Sequence, residues 1–264
     1  MFSKVLASFG AGAAKVDARL LDHAVRPGGA LRGEVHLIGG QVDQEVDSLG
    51  VTLLARVDTP EGPRDLPFQE VNLAGRELVR AGSRLTVPFE VRLPWEAPIT
   101  SVLGKHLTGM AVGLQTKLKL AGAVVDPHDV DAVSVEPLPP QHRVLDALSR
   151  LGFTFRAANL ERERIDGVDQ QLPFYQEVTF APSPAFAAAF TEVAVTFLAG
   201  PQQVRVVLDV VKKVRVVKGG GLGQRGVSTV GSFIVAANEV GRSDWEQRIE
   251  GWLRQVAAPR GIFD

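Results

Sequence analysis

Arg26-Pro27-Gly28-Gly29-Ala30-Leu31-Arg32-Gly33-Glu34-Val35-His36-Leu37 decides the fold class. From Leu31 onward, apolar or small residues alternate with charged or polar ones. That period of two buries one face of a strand and leaves the other wet, as in an antiparallel sandwich. Pro27 fixes φ and the two glycines permit positive φ, so a tight turn leads into the strand.

The same alternation extends outward in both directions. Val16, Ala18 and Leu20 form an earlier strand face, and Leu49, Val51, Leu53, Ala55 and Val57 a longer one that ends at Thr59-Pro60-Glu61-Gly62-Pro63. Leu85, Val87, Phe89, Val91 and Leu93 form another, in which Pro88 removes a ladder donor and predicts an edge or a bulge. Met110 to Leu120 and Val130 to Val135 complete a first set of about seven strands. Glu136-Pro137-Leu138-Pro139-Pro140 then reads as a stiff linker. Val144, Leu145, Leu148 and Leu151 follow at helical spacing, with Gly152 placed to end the helix. A second strand-rich block runs from Phe153 through Leu172 to Phe180, Phe190 to Ala199, Val204 to Val217 and Val227 to Ala236. Ser243 and Glu246 have capping-box spacing, and Trp245, Ile249, Trp252, Leu253 and Val256 fall on one face of a closing helix. The expected architecture is all-β: two antiparallel β-sandwich lobes, residues 1–140 and 141–264, with a short linker helix and an amphipathic C-terminal helix.

Composition narrows the function. A chain of 264 residues with 45% hydrophobic and 22% charged residues can fill one large core or two smaller ones. A formal net charge of −1 gives no global positive field to gather phosphates, so a broadly basic nucleic-acid binder is excluded. Cysteine is absent, which removes disulfides, thiolate metal sites and cysteine nucleophiles. The apolar stretch near Met1 is too short for a signal peptide, and no window approaches a membrane span. A cytoplasmic location is the expectation.

Four stretches of the first half carry a resemblance: Phe9-Gly10-Ala11-Gly12-Ala13-Ala14-Lys15-Val16-Asp17, Pro27 to Val35, Gly39-Gly40-Gln41-Val42-Asp43-Gln44-Glu45-Val46, and Pro88-Phe89-Glu90-Val91-Arg92-Leu93-Pro94-Trp95-Glu96-Ala97-Pro98-Ile99-Thr100. With Phe174-Tyr175-Gln176-Glu177-Val178-Thr179-Phe180-Ala181-Pro182 from the second half, they resemble the bacterial sporulation-control protein family of stage-zero sporulation, whose members have an arrestin-like fold. The resemblance implies two arrestin-like lobes and a regulatory role without a known reaction. It supplies no catalytic residue.

Candidate chemistry is sparse. Gly221-Leu222-Gly223-Gln224-Arg225-Gly226 matches G-x-G-x-x-G, but a nucleotide loop needs a helix next, and Val227 to Val235 is strand-like. Leu103-Gly104-Lys105 lacks the rest of a phosphate-binding loop. Asp126-Pro127-His128-Asp129-Val130-Asp131 gathers three carboxylates that suit a hard cation, although Asp and Pro also build turns, and a turn is the expectation. Glu161, Glu163, Asp166 and Asp169 alternate with Arg162 and Arg164 as in a solvated hairpin. Histidines 23, 36, 106, 128 and 142 form no metal-type spacing, and no nucleophile elbow is present. Lys212, Lys213, Arg215 and Lys218 make a basic cluster that either guards a strand edge or receives an anion or acidic partner. The expected function is a non-enzymatic regulatory adaptor without cofactor or metal. It binds other proteins through the groove between the lobes and the outer strand edges. The alternative is a self-associating structural protein that uses strand edges and the C-terminal helix.

Overall fold

The structure, a computed structural model, describes residues 12–123, 126–212 and 227–258. It is mostly antiparallel sheet, in two compact units. One contains the residues up to Glu136 together with Leu160–Phe174; the other contains Pro137–Asn159 and the residues from Tyr175 onward. Among the described residues no helix is long and apolar enough to cross a membrane.

In the first unit, β1 (Lys15–Leu20), β2 (Ala30–Ile38) and β6 (Arg84–Arg92) form a three-stranded sheet in the order β1-β2-β6. The facing sheet has the order β10-β9-β3-β4. It is built from β3 (Gln44–Val57), β4 (Arg64–Ala74), β9 (Val112–Leu120) and β10 (His128–Ala132), with β5 (Glu77–Val79) paired to β3. The residues expected to share a face on β3, Leu49, Val51, Leu53, Ala55 and Val57, are all 3% exposed or less. Opposite Leu53, Val51 and Leu49 stand Leu114, Thr116 and Leu118 of β9, so one inner face spans both strands. Fully burying each large apolar side chain contributes about 1.5–3 kcal/mol. Gly33 pairs with Phe89, and a Cβ at Gly33 would lie 2.3 Å from Phe89 Cζ. The ring therefore fills the space the glycine leaves. Pro88 lies on β6, a terminal strand of its sheet, where a missing amide costs no ladder bond on the outer side.

Leu160–Phe174 packs with the first unit. The Glu96 carboxylate accepts the amides of Gln171 and Leu172 at 2.8 and 3.0 Å, and Phe174 meets Phe68 edge to face. The segment expected to be a solvated hairpin is organised from inside by Gln170, which is 4% exposed. Its Nε2 donates to the carbonyls of Glu163 and Leu172, and its Oε1 accepts from Ile165 N–H.

The second unit begins with α1 (Pro139–Arg150), followed by β11 (Thr154–Glu161), β12 (Tyr175–Ala181), β13 (Phe190–Ala199), β14 (Gln203–Lys212) and β15 (Val227–Ala236) in one sequentially ordered sheet, and then α2 (Trp245–Ala257). The prolines read as a linker instead open α1: Pro139 and Pro140 occupy its first turn, where amides have no intrahelical acceptor to lose. Gln141 Oε1 accepts the Leu138 amide at 2.8 Å, and Gly152, with φ of 86°, ends the helix as its position predicts. The cap of α2 lies one residue beyond the expected Ser243. Asp244 Oδ1 accepts the Gln247 amide at 2.9 Å, because its carboxylate reaches the third helical amide from that register. Trp245, Ile249 and Leu253 are buried, so α2 is docked. Trp245 stacks on Phe233, and the Trp252 ring occupies the space a Cβ at Gly231 would need.

Candidate functional site

The first unit contains a cavity of about 460 Å³. Its walls come from four places: Leu20, Asp22 and His23 at the end of β1, Leu31 of β2, the Thr100 to His106 segment, and the paired stretches Met110–Val112 and Ala132–Ser134. The Thr100 to His106 segment is a two-stranded hairpin, β7 (Ser101–Val102) and β8 (Lys105–His106). The interior is apolar through Leu20, Leu31, Met110 and Val133, in keeping with ligand-binding cavities generally.

The polar groups of the wall are largely held by the fold. Thr100 Oγ1 accepts the Val135 amide at 2.9 Å and donates to the Val133 carbonyl at 3.4 Å. The Ser101 and Ser134 hydroxyls stand 3.2 Å apart. Asp22 takes the Arg32 side chain through both carboxylate oxygens, at 2.7 and 3.2 Å, and the Arg32 amide at 2.8 Å. Those bonds hold the Asp22 carboxyl below the usual carboxylate range, the guanidinium contributing most, and raise Arg32 in return. His23 and His106 are exposed at the mouth. The arrangement can seat an apolar side chain under a rim of imidazoles and hydroxyls.

The hairpin tip beside this cavity is unusual. Leu103 has φ of 51° and Gly104 φ of 71°. Two successive positive φ values make the turn that matches strand twist, and Asn or Gly is normally first in it. A left-handed conformation costs an L-residue with a Cβ about 1–2 kcal/mol. Leu103 is the one non-glycine residue with positive φ among the described residues, and it is also 76% exposed. In sequence, Leu103-Gly104-Lys105 reads only as a fragment of a phosphate loop. A Leu-Gly pair between two short polar stretches gives little hairpin signal, so this feature was missed.

The residues singled out by sequence do not converge. Asp126 Oδ1 accepts the Leu120 amide at 3.2 Å and its other oxygen lies 3.9 Å from Lys117. Asp129 and Asp131, expected in a turn, are on β10 instead. Asp129 pairs with Thr116 and points into the sandwich, where its Oδ2 accepts Ala18 N–H from the edge of β1 at 3.2 Å. Charge misled the turn reading, because this carboxylate satisfies a strand edge 111 residues away. Among the described residues no three His, Asp or Glu side chains come together as a metal site. Lys212 ends β14, half-buried and paired with Phe190 and Val227. Lys213, Arg215, Lys218 and the Gly221–Gly226 stretch lie outside the described residues.

Comparison with known proteins accounts for the architecture. The family model described as SpoOM protein matches residues 2–214. The sporulation-control protein Spo0M of Bacillus subtilis (strain 168) is 30% identical over 223 residues, 83% of this chain and 83% of that protein. The crystal structure of Spo0M, sporulation control protein, from Bacillus subtilis superimposes with a TM-score of 0.75 at 25% identity, covering 94% of this chain and 100% of that one. The mostly β, arrestin-like fold expected from the motifs is therefore the fold observed. The resemblance seen in Pro27 to Val35 and Pro88 to Thr100 extends to the family itself: this chain belongs to the sporulation-control Spo0M family.

Proposed function

We propose that this protein is a cytoplasmic, non-enzymatic regulatory adaptor in the control of sporulation. In this reading it binds other proteins, and the mouth of the first unit's cavity, with the Leu103 hairpin, is part of the recognition surface. Membership in a sporulation-control family supports the regulatory role. The observation that carries the binding site is Leu103, an exposed large apolar side chain held in a left-handed backbone conformation beside an apolar cavity. Folding gains nothing from either property, since both the strain and the exposed surface oppose it. A partner segment that covers Leu103 and places an apolar side chain in the cavity recovers the exposure cost. The expected ligand is an extended protein segment with an apolar anchor. The basic cluster Lys212, Lys213, Arg215 and Lys218 is proposed as a separate contact for an acidic stretch of the partner.

Leu103→Asn separates function from folding, because asparagine tolerates positive φ. The variant is expected to fold at least as stably as the parent and to lose reproducible capture of a protein partner in affinity purification from the native cell. Recovery of the bare chain alone from the parent, or unchanged capture by Leu103→Asn, refutes the proposal.

A further inference from the structure

β15 ends the five-stranded sheet, and among the described residues no strand pairs with its outer edge. Its sequence, Val227-Ser228-Thr229-Val230-Gly231-Ser232-Phe233-Ile234-Val235-Ala236, contains no charge and no proline. The other terminal strands are guarded in the usual ways. β6 has Pro88 with Arg84, Glu90 and Arg92; β4 has Pro67 with Arg64, Asp65 and Glu70; β11 has Arg156 and Glu161; β1 has Lys15, Asp17 and Arg19. A long neutral edge without proline is a template for another strand.

The two faces of β15 differ. Phe233 pairs with Val206 and Gly231 with Leu208, and this face lies under Trp245 and Trp252 of α2. Residues between them project to the opposite face. There Val230 is 62% and Ile234 38% exposed, with Ser232 midway between them. The helix thus fixes the strand from one side and leaves an apolar pair open on the other.

This spacing is self-complementary. In an antiparallel pairing centred on Ser232, Val230 of one chain faces Ile234 of the other, and the same contact recurs across the two-fold axis. Ser232 faces its own copy, and no charge meets a charge within the ladder. Cross-strand apolar pairs are the stabilising unit of a sheet, and a two-fold interface requires this kind of reciprocity. We propose that β15 pairs with β15 of a second copy of this chain, antiparallel about Ser232, joining two five-stranded sheets into one. The inference is independent of the Leu103 surface, which belongs to the other unit.

Light scattering or sedimentation of the full chain over a concentration series is expected to show a doubling of mass. Val230→Lys with Ile234→Lys sets lysine against lysine at both reciprocal contacts, so dimer is lost while far-UV circular dichroism is unchanged. Val230→Lys with Ile234→Glu sets opposite charges face to face in this register alone and restores the dimer. Ser232→Cys introduces a single cysteine into a cysteine-free chain. Directly opposed strand residues lie within disulfide range, so mild oxidation yields a covalent dimer. A parent chain that is monomeric at about 0.5 mM overturns the proposal, because any pairing is then millimolar or weaker. A dimer that keeps its mass with both lysines and resists cross-linking through Ser232→Cys also overturns it. So does a monomer whose β15 amides become protected from hydrogen exchange only in cell extract, which would assign the edge to another protein.

Discussion

Gly33→Ala tests the packing of the first unit at its tightest point. The added Cβ would lie 2.3 Å from Phe89 Cζ, 2.7 Å from Phe89 Cε1 and 2.8 Å from the Arg19 carbonyl, where ordinary contact begins at 3.4 Å. More than an ångström of movement is required, and one obstacle is backbone of the neighbouring strand. Overpacking a well-filled core costs about 1–3 kcal/mol when side chains can yield, and the fixed carbonyl puts this site at about 3 kcal/mol. Phe89→Leu shortens the offending ring and alone costs about 1–2 kcal/mol of lost burial. Together the two substitutions are expected to cost less than their sum, since the leucine relieves part of the clash; residues in contact couple by about 0.5–3 kcal/mol. Urea unfolding followed through Trp95, the first unit's tryptophan, reads the cycle without relying on a single transition for both units. A Gly33→Ala chain as stable as its parent, or strict additivity with Phe89→Leu, refutes the account of why glycine faces Phe89.

Three further outcomes are expected. Because Arg32 lowers the Asp22 carboxyl, the pair's contribution to stability is present above the unfolded carboxylate pKa and is lost as pH falls through the lower folded value; in Arg32→Ala the Asp22 resonance should titrate closer to its ordinary range. Gln170→Ala leaves Ile165 N–H and two carbonyls without their partner, at about 1–3 kcal/mol for each group that stays buried. Faster trypsin cleavage at Arg162 and Arg164 would report it, and an unchanged cleavage rate would show that the loop does not depend on Gln170. Asp244→Ala should cost about 1 kcal/mol of second-unit stability while Ser243→Ala costs little; the reverse order in Trp245 and Trp252 fluorescence would put the cap at Ser243.

Much of the fold is legible in the sequence because its information is local. Alternation alone assigned the inner face of β3, and helical spacing alone identified Trp245, Ile249 and Leu253 as the docked face of α2. What escaped depends on distant partners. Asp126 and Pro127 just before Asp129 favour a turn, whereas its buried role is set by Ala18 on another strand. Leu160–Phe174 joins the first unit through Glu96 and Phe68, neither of which any nearby residue announces. The prolines before α1 were misread for a different reason: the missing amide that forbids a strand is harmless in a helix's first turn. Of the candidate site, only the apolar strand ends that line the cavity were visible. The turn geometry that makes Leu103 conspicuous is a backbone property that no residue type encodes.

A chain folds to one structure when local preference and global packing agree, and disagreement is tolerated where something else depends on it. Two local rules are broken on this molecule. Among the described non-glycine residues only Leu103 has a positive φ, and in the sheets of three or more strands every terminal strand except β15 carries charge or proline. Neither exception improves a core: Leu103 is exposed, and Val230 and Ile234 project away from the helix that stabilises their strand. The stability of each unit is supplied elsewhere, by the β3 and β9 face in one and by α2 packed on β15 in the other. Selection for stability alone would replace Leu103 with asparagine and place a lysine on β15, since either change lowers a cost without touching buried contacts. That neither is present points to two separate contacts, one that seats a foreign segment and one that accepts a second copy.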